Sequence, residues 1–459
     1  MTSPEHRQRT RAGWNVSSLI ILSILLLQFP AMMWGQEGTE TLGATRDSLL
    51  RIARSDIERL ASPEMKGRGY TGSGHLQAAQ YISERFRQIG LEEIEGNWFQ
   101  PFTVTVDTFI RTPELSIDGR TLIPGKDFIV NPGNHGGAKQ GIEIVPLGSG
   151  LLIDGRVNDY AGKELKGKIA LIDSNIPDSL KEDTTISQEL LGRDQRILLA
   201  FQAGVRGVIL LIDRPVYGNF FERWPGPIFE VRRDAILDSS HTLSYSVQLR
   251  REVKVTTQNV VGLLRGSGKS DSTLMICGHY DHLGTFGDSI FFPGANDNAS
   301  GIAMMMALAQ KFAREPIRYD ILFVAFGGEE IGLRGSRFFA EHPPVDLDRL
   351  RFLVNLDMTA SGLDGVMALG GEEFSEEYAL LEEIAPSVGI DTLRKRANAP
   401  NSDHWFLLEK GVRGFYIYPF VGHQPYHHVD DRPESLQWET FEKMYALLSR
   451  FVGRLSTRD

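Results

Sequence analysis

Leu274-Met275-Ile276-Cys277-Gly278 runs directly into His279-Tyr280-Asp281-His282, and Ile321-Leu322-Phe323-Val324-Ala325-Phe326 runs into Gly327-Gly328-Glu329-Glu330. Each is a short, almost continuous apolar run, the pattern of a strand buried on both faces of a parallel sheet. Val260–Leu264, Phe352–Leu356 and Gly414–Tyr418 read the same way. Helical spacing fills the gaps, near 299–313, 332–341, 374–388 and 402–410. A last helix at about 436–455 puts Phe441, Tyr445, Leu448, Val452 and Leu455 on one face. This alternation predicts an α/β sandwich around a largely parallel sheet. Sites in such sheets sit at the carboxyl ends of the strands.

Those ends carry the chemistry. Beyond His279-Tyr280-Asp281 and Glu329-Glu330, the strand Phe352–Leu356 ends in Asp357, and Tyr426-His427-His428-Val429-Asp430-Asp431 stands late in the chain. Gly294-Ala295-Asn296-Asp297-Asn298-Ala299-Ser300-Gly301 leads into a helix. Taken singly, a Glu-Glu pair is an ordinary solvated face and a His-x-Asp an ordinary surface hydrogen bond. Their coincidence at strand ends is what carries weight. Imidazoles and carboxylates together suit zinc and similar divalent metals. Carboxylates clustered without cations repel one another, and a pair of metals removes that repulsion.

Outward from this core, Ala79, Ile82, Phe86 and Ile89 repeat at helical spacing before the stop signal Gly90. The glycine-rich stretch Lys66–Gly74 ahead of them reads by itself as a flexible connection. A helical pattern spans about Asp47 to Leu60, and residues 36–48 read as a loose polar spacer. From about 101 to 255 short β-like runs alternate with turns: Phe102–Val106, Ile142–Pro146, Lys168–Asp173 and Val208–Asp213, with a helix from Ile197 to Gly204. This is read as a β-rich insert, and the aromatic Tyr217–Trp224 as a surface loop, with a lid as the lesser reading. At the N-terminus Arg7, Arg9 and Arg11 precede the apolar run Leu19–Phe29, the pattern of an export signal. The short run favours a cleaved signal, and Trp14–Trp34 is long enough for an uncleaved anchor.

Composition sets the bounds. A chain of 459 residues with 41% hydrophobic and 24% charged content has ample material for a core. The net charge of −10, without a basic block beyond the N-terminus, disfavours nucleic acid as a partner. The single cysteine, Cys277, excludes an internal disulfide and reads as a small core residue rather than a nucleophile.

As a set, His279-x-Asp281, Gly294–Gly301, Gly328-Glu329-Glu330-x-Gly332-Leu333-x-Gly335-Ser336, Asn355-Leu356-Asp357-Met358 and Tyr426-His427 resemble the co-catalytic zinc aminopeptidases, the twenty-eighth metallopeptidase family. Gly67-Arg68-Gly69 through Gly90-Leu91, and Ser402-Asp403-His404, resemble further segments of that family. The stretches Tyr160–Ile169 and Ala203–Val208 resemble a protease-associated domain. The resemblance implies a three-layer zinc-exopeptidase fold with a mixed sheet. It divides the chain into a signal or anchor at 1–35, a peptidase domain at 36–110 and 255–459, and an insert at 111–254. It implies two zinc ions, one held by His279 and Asp357 and the other by Glu330 and His427, with Asp297 bridging and a cis peptide following Asp297. Glu329 would be the general base and Tyr426 the support of the developing oxyanion. Asp281 would hold the second nitrogen of His279, and Asp431 that of His427. His428 is a rival ligand, disfavoured by the Tyr-His spacing; it and Arg432 stand where family members often have Thr. Asn296 replaces an Asp common in relatives, with little effect expected. His282 and His404 are expected at the rim or in structural roles. The implied activity is removal of N-terminal residues from peptides by a secreted, periplasmic or anchored enzyme, touching membrane only through an uncleaved N-terminal segment. A glutamate-carboxypeptidase-like or glutaminyl-cyclase-like enzyme, or a non-catalytic receptor-like relative, are the alternatives.

Overall fold

The computed structural model describes residues 36–218, 223–236, 241–268, 270–420 and 425–457, with side chains from residue 48 onward. The export signal or anchor expected within 1–35 lies outside the described residues. Among the described residues no helix is long and apolar enough to cross a membrane. The chain divides into two compact units, Met1–Ser48 and Leu49–Asp459. Of the first, only helical residues 36–48 are described. They open the helix Gln36–Leu60, so the expected spacer is helical instead.

The second unit is built on two eight-stranded sheets. In the first, the order across the sheet is Phe99–Phe109, Leu249–Leu264, Asp320–Phe326, Thr273–His279, Leu350–Leu356, Gly414–Phe420, Gly365–Leu369 and Leu393–Arg396. The four strands from Asp320–Phe326 to Gly414–Phe420 are mutually parallel. The strands flanking those four, Leu249–Leu264 and Gly365–Leu369, run antiparallel to them. The sheet is therefore mixed, with a parallel centre. All five expected apolar strands are present. Gly365–Leu369 and Leu393–Arg396 are two further strands not among those expected.

Helices cover both faces, as continuous apolar strands require. Gly74–Ile89, Gly301–Arg314 and Trp438–Leu455 bury Phe86, Met305 and Phe451 in one core that includes Ile276, Phe323 and Phe352. Arg334–Glu341 closes the other face with Phe339 against Met275 and Cys277. Burial pushes the Cys277 thiol well up, and its Sγ lies 3.4 Å from Asn355 Oδ1.

The second sheet is formed between residues 114 and 247. Phe102–Val106, read with the β-rich stretch, belongs instead to the first sheet, paired with the long strand Leu249–Leu264. The two sheets are joined by a shared core. Leu283, Phe286 and Phe292, from the chain between Asp281 and Asp297, are buried among Phe109, Phe128, Tyr217 and Phe229. Tyr217 is therefore not on a surface loop. It is 2% exposed and stacks on Phe292 at 4.6 Å, with the two ring planes 5° apart.

The stretch Lys66–Gly74 is not a loose connection. Lys66, Gly67 and Arg68 all have positive φ, and Gly284 N–H donates to Gly67 C=O at 3.0 Å. A Cβ on Gly69 would lie 2.3 Å from Gly284 Cα, so only glycine permits this approach.

Candidate metal centre

Four parallel strands end at one edge of the first sheet, and the groups that follow them converge there. His279 Nε2 lies 3.4 Å from Asp297 Oδ1 and 3.5 Å from Asp357 Oδ1. His427 Nε2 lies 3.2 Å from Asp297 Oδ2 and 3.2 Å from Glu330 Oε2. The two oxygens of Asp297 thus face different histidine–carboxylate pairs. The peptide after Asp297 is cis. His427 has a φ of +52°.

These separations match those between ligand atoms of one metal ion. Ligand atoms around a tetrahedral centre bonded at ~2.0–2.1 Å lie about 3.3 Å apart. Donor atoms of His279, Asp297 and Glu330 fall within 4.8 Å of one another. Among the described residues Asp357 Oδ1 is buried without a hydrogen-bond partner, while Oδ2 accepts from Tyr416 O–H at 3.0 Å. Electrostatics agrees. Burial works against a charged imidazole at His279, yet Glu329 and Asp357 hold it well above the usual histidine range. His427 behaves alike, with Glu330 and Asp297 overcoming burial. In return, His427 and His282 outweigh burial and hold Glu330 well below the carboxylate range. A site that draws protons onto both imidazoles is one that calls for cations.

Glu329 stands beside this cluster. Burial, with Glu330, Asp403 and Asp357 adding to it, raises its carboxyl well above the ordinary value. Tyr426 is at the rim, 45% exposed, its ring stacked on that of His427 at 3.8 Å. His428 is turned away from the cluster, its Nδ1 accepting from Asp430 N–H at 3.2 Å.

Two supporting roles differ from expectation. His279 Nδ1 meets the backbone carbonyl of Asp281 at 3.1 Å, and the Asp281 carboxylate is farther, at 3.8 Å. That carboxylate instead accepts from Glu329 N–H at 3.2 Å and Glu330 N–H at 3.4 Å, and from Tyr70 O–H. It orients the two glutamates rather than the histidine, and burial raises it to about 6. Asp431 does not hold His427. It accepts from Asn296 N–H at 2.9 Å and Asp297 N–H at 3.0 Å, and so fixes the backbone of Asp297. His282, expected at the rim or in a structural role, lies in the interior. It is fully buried, with Nδ1 2.7 Å from Glu330 Oε1. Asn296 donates to Ser361 Oγ at 2.9 Å, away from the ligands.

Tyr70, Tyr416 and Asp403 escaped the sequence reading of the site. Burial raises Asp403 to about 7 beside His279 and Asp357. Asp403 and His404 lie in Ser402-Asp403-His404, which resembles a segment of the zinc aminopeptidases but was given no ligand or catalytic role; Tyr416, inside an apolar strand, carried no signal.

Residues 259–452 match the model of peptidase family M28. Aminopeptidase YwaD of Bacillus subtilis is 25% identical over 309 residues, covering 64% of this chain and 62% of that protein. The probable lipoprotein aminopeptidase LpqL of Mycobacterium tuberculosis is 27% identical over 252 residues, 51% of this chain and 45% of its own. The matched stretches thus span less than two thirds of either relative. A solved structure of BSAP, a zinc aminopeptidase from Bacillus subtilis, superposes with a TM-score of 0.65 at 20% identity, covering 88% of this chain and 95% of that one. That likeness is one of fold, and it is too extensive to leave out the second sheet.

Proposed function

We propose that the chain, whose residues 259–452 match the model of peptidase family M28, is a zinc-dependent exopeptidase that binds two zinc ions and removes N-terminal residues from peptides. The observation that carries this reading is the placement of Asp297, whose two oxygens face His279 with Asp357 and His427 with Glu330. In this reading His279 and Asp357 would hold one ion and Glu330 and His427 the other, with Asp297 offering an oxygen to each. Bound there, the ions would lower the pKa of a water and polarise the scissile carbonyl. Glu329 accepts the proton of the attacking water and returns it to the leaving amine; its raised proton affinity suits that exchange. Tyr426 offers its hydroxyl at the rim to the developing oxyanion. Asp281 keeps Glu329 and Glu330 in register through their backbone N–H groups.

The insert at 111–254 is proposed as a protease-associated type of domain, with 36–110 and 255–459 forming the peptidase. Export, with the signal cleaved or kept as an anchor, is proposed from Arg7–Phe29.

The test uses the purified chain with zinc and one peptide panel carrying free or acetylated N-termini, followed by mass spectrometry. Loss of single N-terminal residues from free peptides alone supports the proposal. Cleavage indifferent to acetylation refutes it in favour of a carboxypeptidase. No cleavage, with cyclisation of N-terminal glutamine, refutes it in favour of a cyclase.

A further inference from the structure

The stretch Lys66–Gly74, whose Tyr70 supports Asp281, also delivers a charged side chain beneath the site. Arg68 is 0% exposed. Its Nε donates to Tyr280 C=O at 2.7 Å. Its Nη1 donates to Leu60 C=O at 2.8 Å and Pro293 C=O at 2.7 Å. Its Nη2 donates to Gly294 C=O at 2.7 Å and Asp297 C=O at 3.2 Å. All five N–H groups of the guanidinium are thereby used on backbone carbonyls. A surface-type ion pair is not the purpose of this residue. Its charge is buried beneath a group of carboxylates, of which Asp297, Asp431, Asp281 and Glu330 act most strongly on it.

The segments it ties together are telling. Tyr280 directly follows the ligand His279. Pro293, Gly294 and Asp297 belong to the loop that ends in the bridging ligand. The same loop is held from its other side by Asp431, which takes the Asn296 and Asp297 N–H groups. Carbonyls on one side and amides on the other leave the loop little freedom. There is also no slack in how Arg68 arrives. Its own φ is +52°. A Cβ on Gly67 would lie 2.4 Å from Phe292 O, and one on Gly294 would lie 2.6 Å from Arg68 Nη2.

We infer that Arg68 is a positioning residue that sets the spacing between His279 and Asp297, and with it the affinity of the site for its metal ions. It touches no reacting atom. The inference rests on the dimetal reading proposed above.

Arg68→Lys tests it. Lysine keeps the charge and offers three donors from one point in place of a planar fork of five. Zinc bound per folded chain is measured by equilibrium dialysis with metal analysis, alongside the thermal midpoint and kcat and KM. The unmutated chain is expected to bind two zinc ions. Arg68→Lys is expected to fold and to bind zinc about 10–100-fold more weakly, as loss of an outer partner of a metal ligand does. Its kcat should fall at limiting zinc, with KM nearly unchanged. A lowered thermal midpoint with unaltered zinc affinity would mean a merely structural arginine and would overturn the inference alone. Failure of the unmutated chain to bind two zinc ions would overturn the dimetal reading and this inference with it. If Arg68→Lys does not fold, Arg68→Gly, suited to the positive φ, is refolded with and without millimolar guanidinium ion. Recovery of tight zinc binding with guanidinium supports the inference, and zinc affinity indifferent to it overturns it.

Discussion

Phe286 is the place to ask whether the two sheets act as one body. It sits on the hairpin Thr285–Phe286 and Ile290–Phe291, between Asp281 and Asp297 in sequence, and is fully buried in a core supplied mainly by the insert. Its ring meets Phe109 at 5.0 Å, Tyr217 at 5.5 Å and Phe128 at 6.1 Å, each nearly edge-on. Phe286→Ala removes a ring that cannot be replaced by solvent, at a cost of about 3–5 kcal/mol. Three edge-to-face pairs, each worth ~0.5–1.5 kcal/mol beyond burial, place the loss in the upper half of that range. The assay is urea unfolding of the zinc-free chain, followed by far-ultraviolet circular dichroism and by intrinsic fluorescence. With one shared core, both probes should shift together to lower urea, and on the proposed metal reading zinc affinity should fall because the hairpin is continuous with the loop leading to Asp297. Phe229→Ala serves as the control: Phe229 is buried in the same core but on the insert strand Ile228–Arg232. It should cost similar stability and leave zinc affinity less altered. A loss below about 1 kcal/mol for Phe286→Ala, or an insert that unfolds separately with zinc binding intact, would refute the shared-core reasoning.

Glu329→Gln should retain both zinc ions and lose about 10²–10⁴-fold in kcat, the usual contribution of a positioned acid–base group; metal analysis showing an equal loss of zinc would instead make Glu329 a ligand. His404 predicts a pH dependence. Burial lowers it from 6.5 to about 4, so it is neutral in the folded chain. A depressed value means its contribution is complete above pH 6.5 and is lost as pH falls through 4. The difference corresponds to ~3 kcal/mol. Relative to the unmutated chain, His404→Phe should therefore gain about that much between pH 7 and pH 4 in urea unfolding without zinc, and a difference constant with pH would contradict the neutral buried imidazole.

What the sequence made legible, and what it hid, divides along a physical line. Apolar runs such as Leu274–Gly278 announce strands buried on both faces, and the groups immediately after them have to lie at the sheet edge. His279, Glu330 and Asp357, close behind such runs, do lie together at that edge; Asp297 and His427 join them, and their place was implied by the family resemblance rather than by a strand end. Leu393–Arg396 escaped because an edge strand of Leu-Arg-Lys-Arg buries almost nothing and carries no apolar signal. Asp281 and Asp431 were given imidazole partners by the family resemblance, as carboxylates that support metal-bound histidines commonly have. Both in fact satisfy backbone N–H groups, and those depend on the path of the chain, which residue identity does not encode. Lys66–Gly74 misled for a related reason. Glycine signals permission for unusual φ, and that permission serves close packing as readily as flexibility.

The same line bears on whether the insert can act as a lid. A closing element needs few buried contacts and its own stability. Here Tyr217 N–H donates to the carbonyl of His427 itself, at 3.1 Å. Its ring stacks on Phe292, two residues before Gly294, in the loop that Arg68 and Asp431 grip. Lifting this part of the insert would break a hydrogen bond to the backbone of one metal-site histidine and uncover the apolar support of the loop leading to Asp297. The cost falls on the site in every open state. Segment 214–217 is therefore better understood as a wall of the site than as a door.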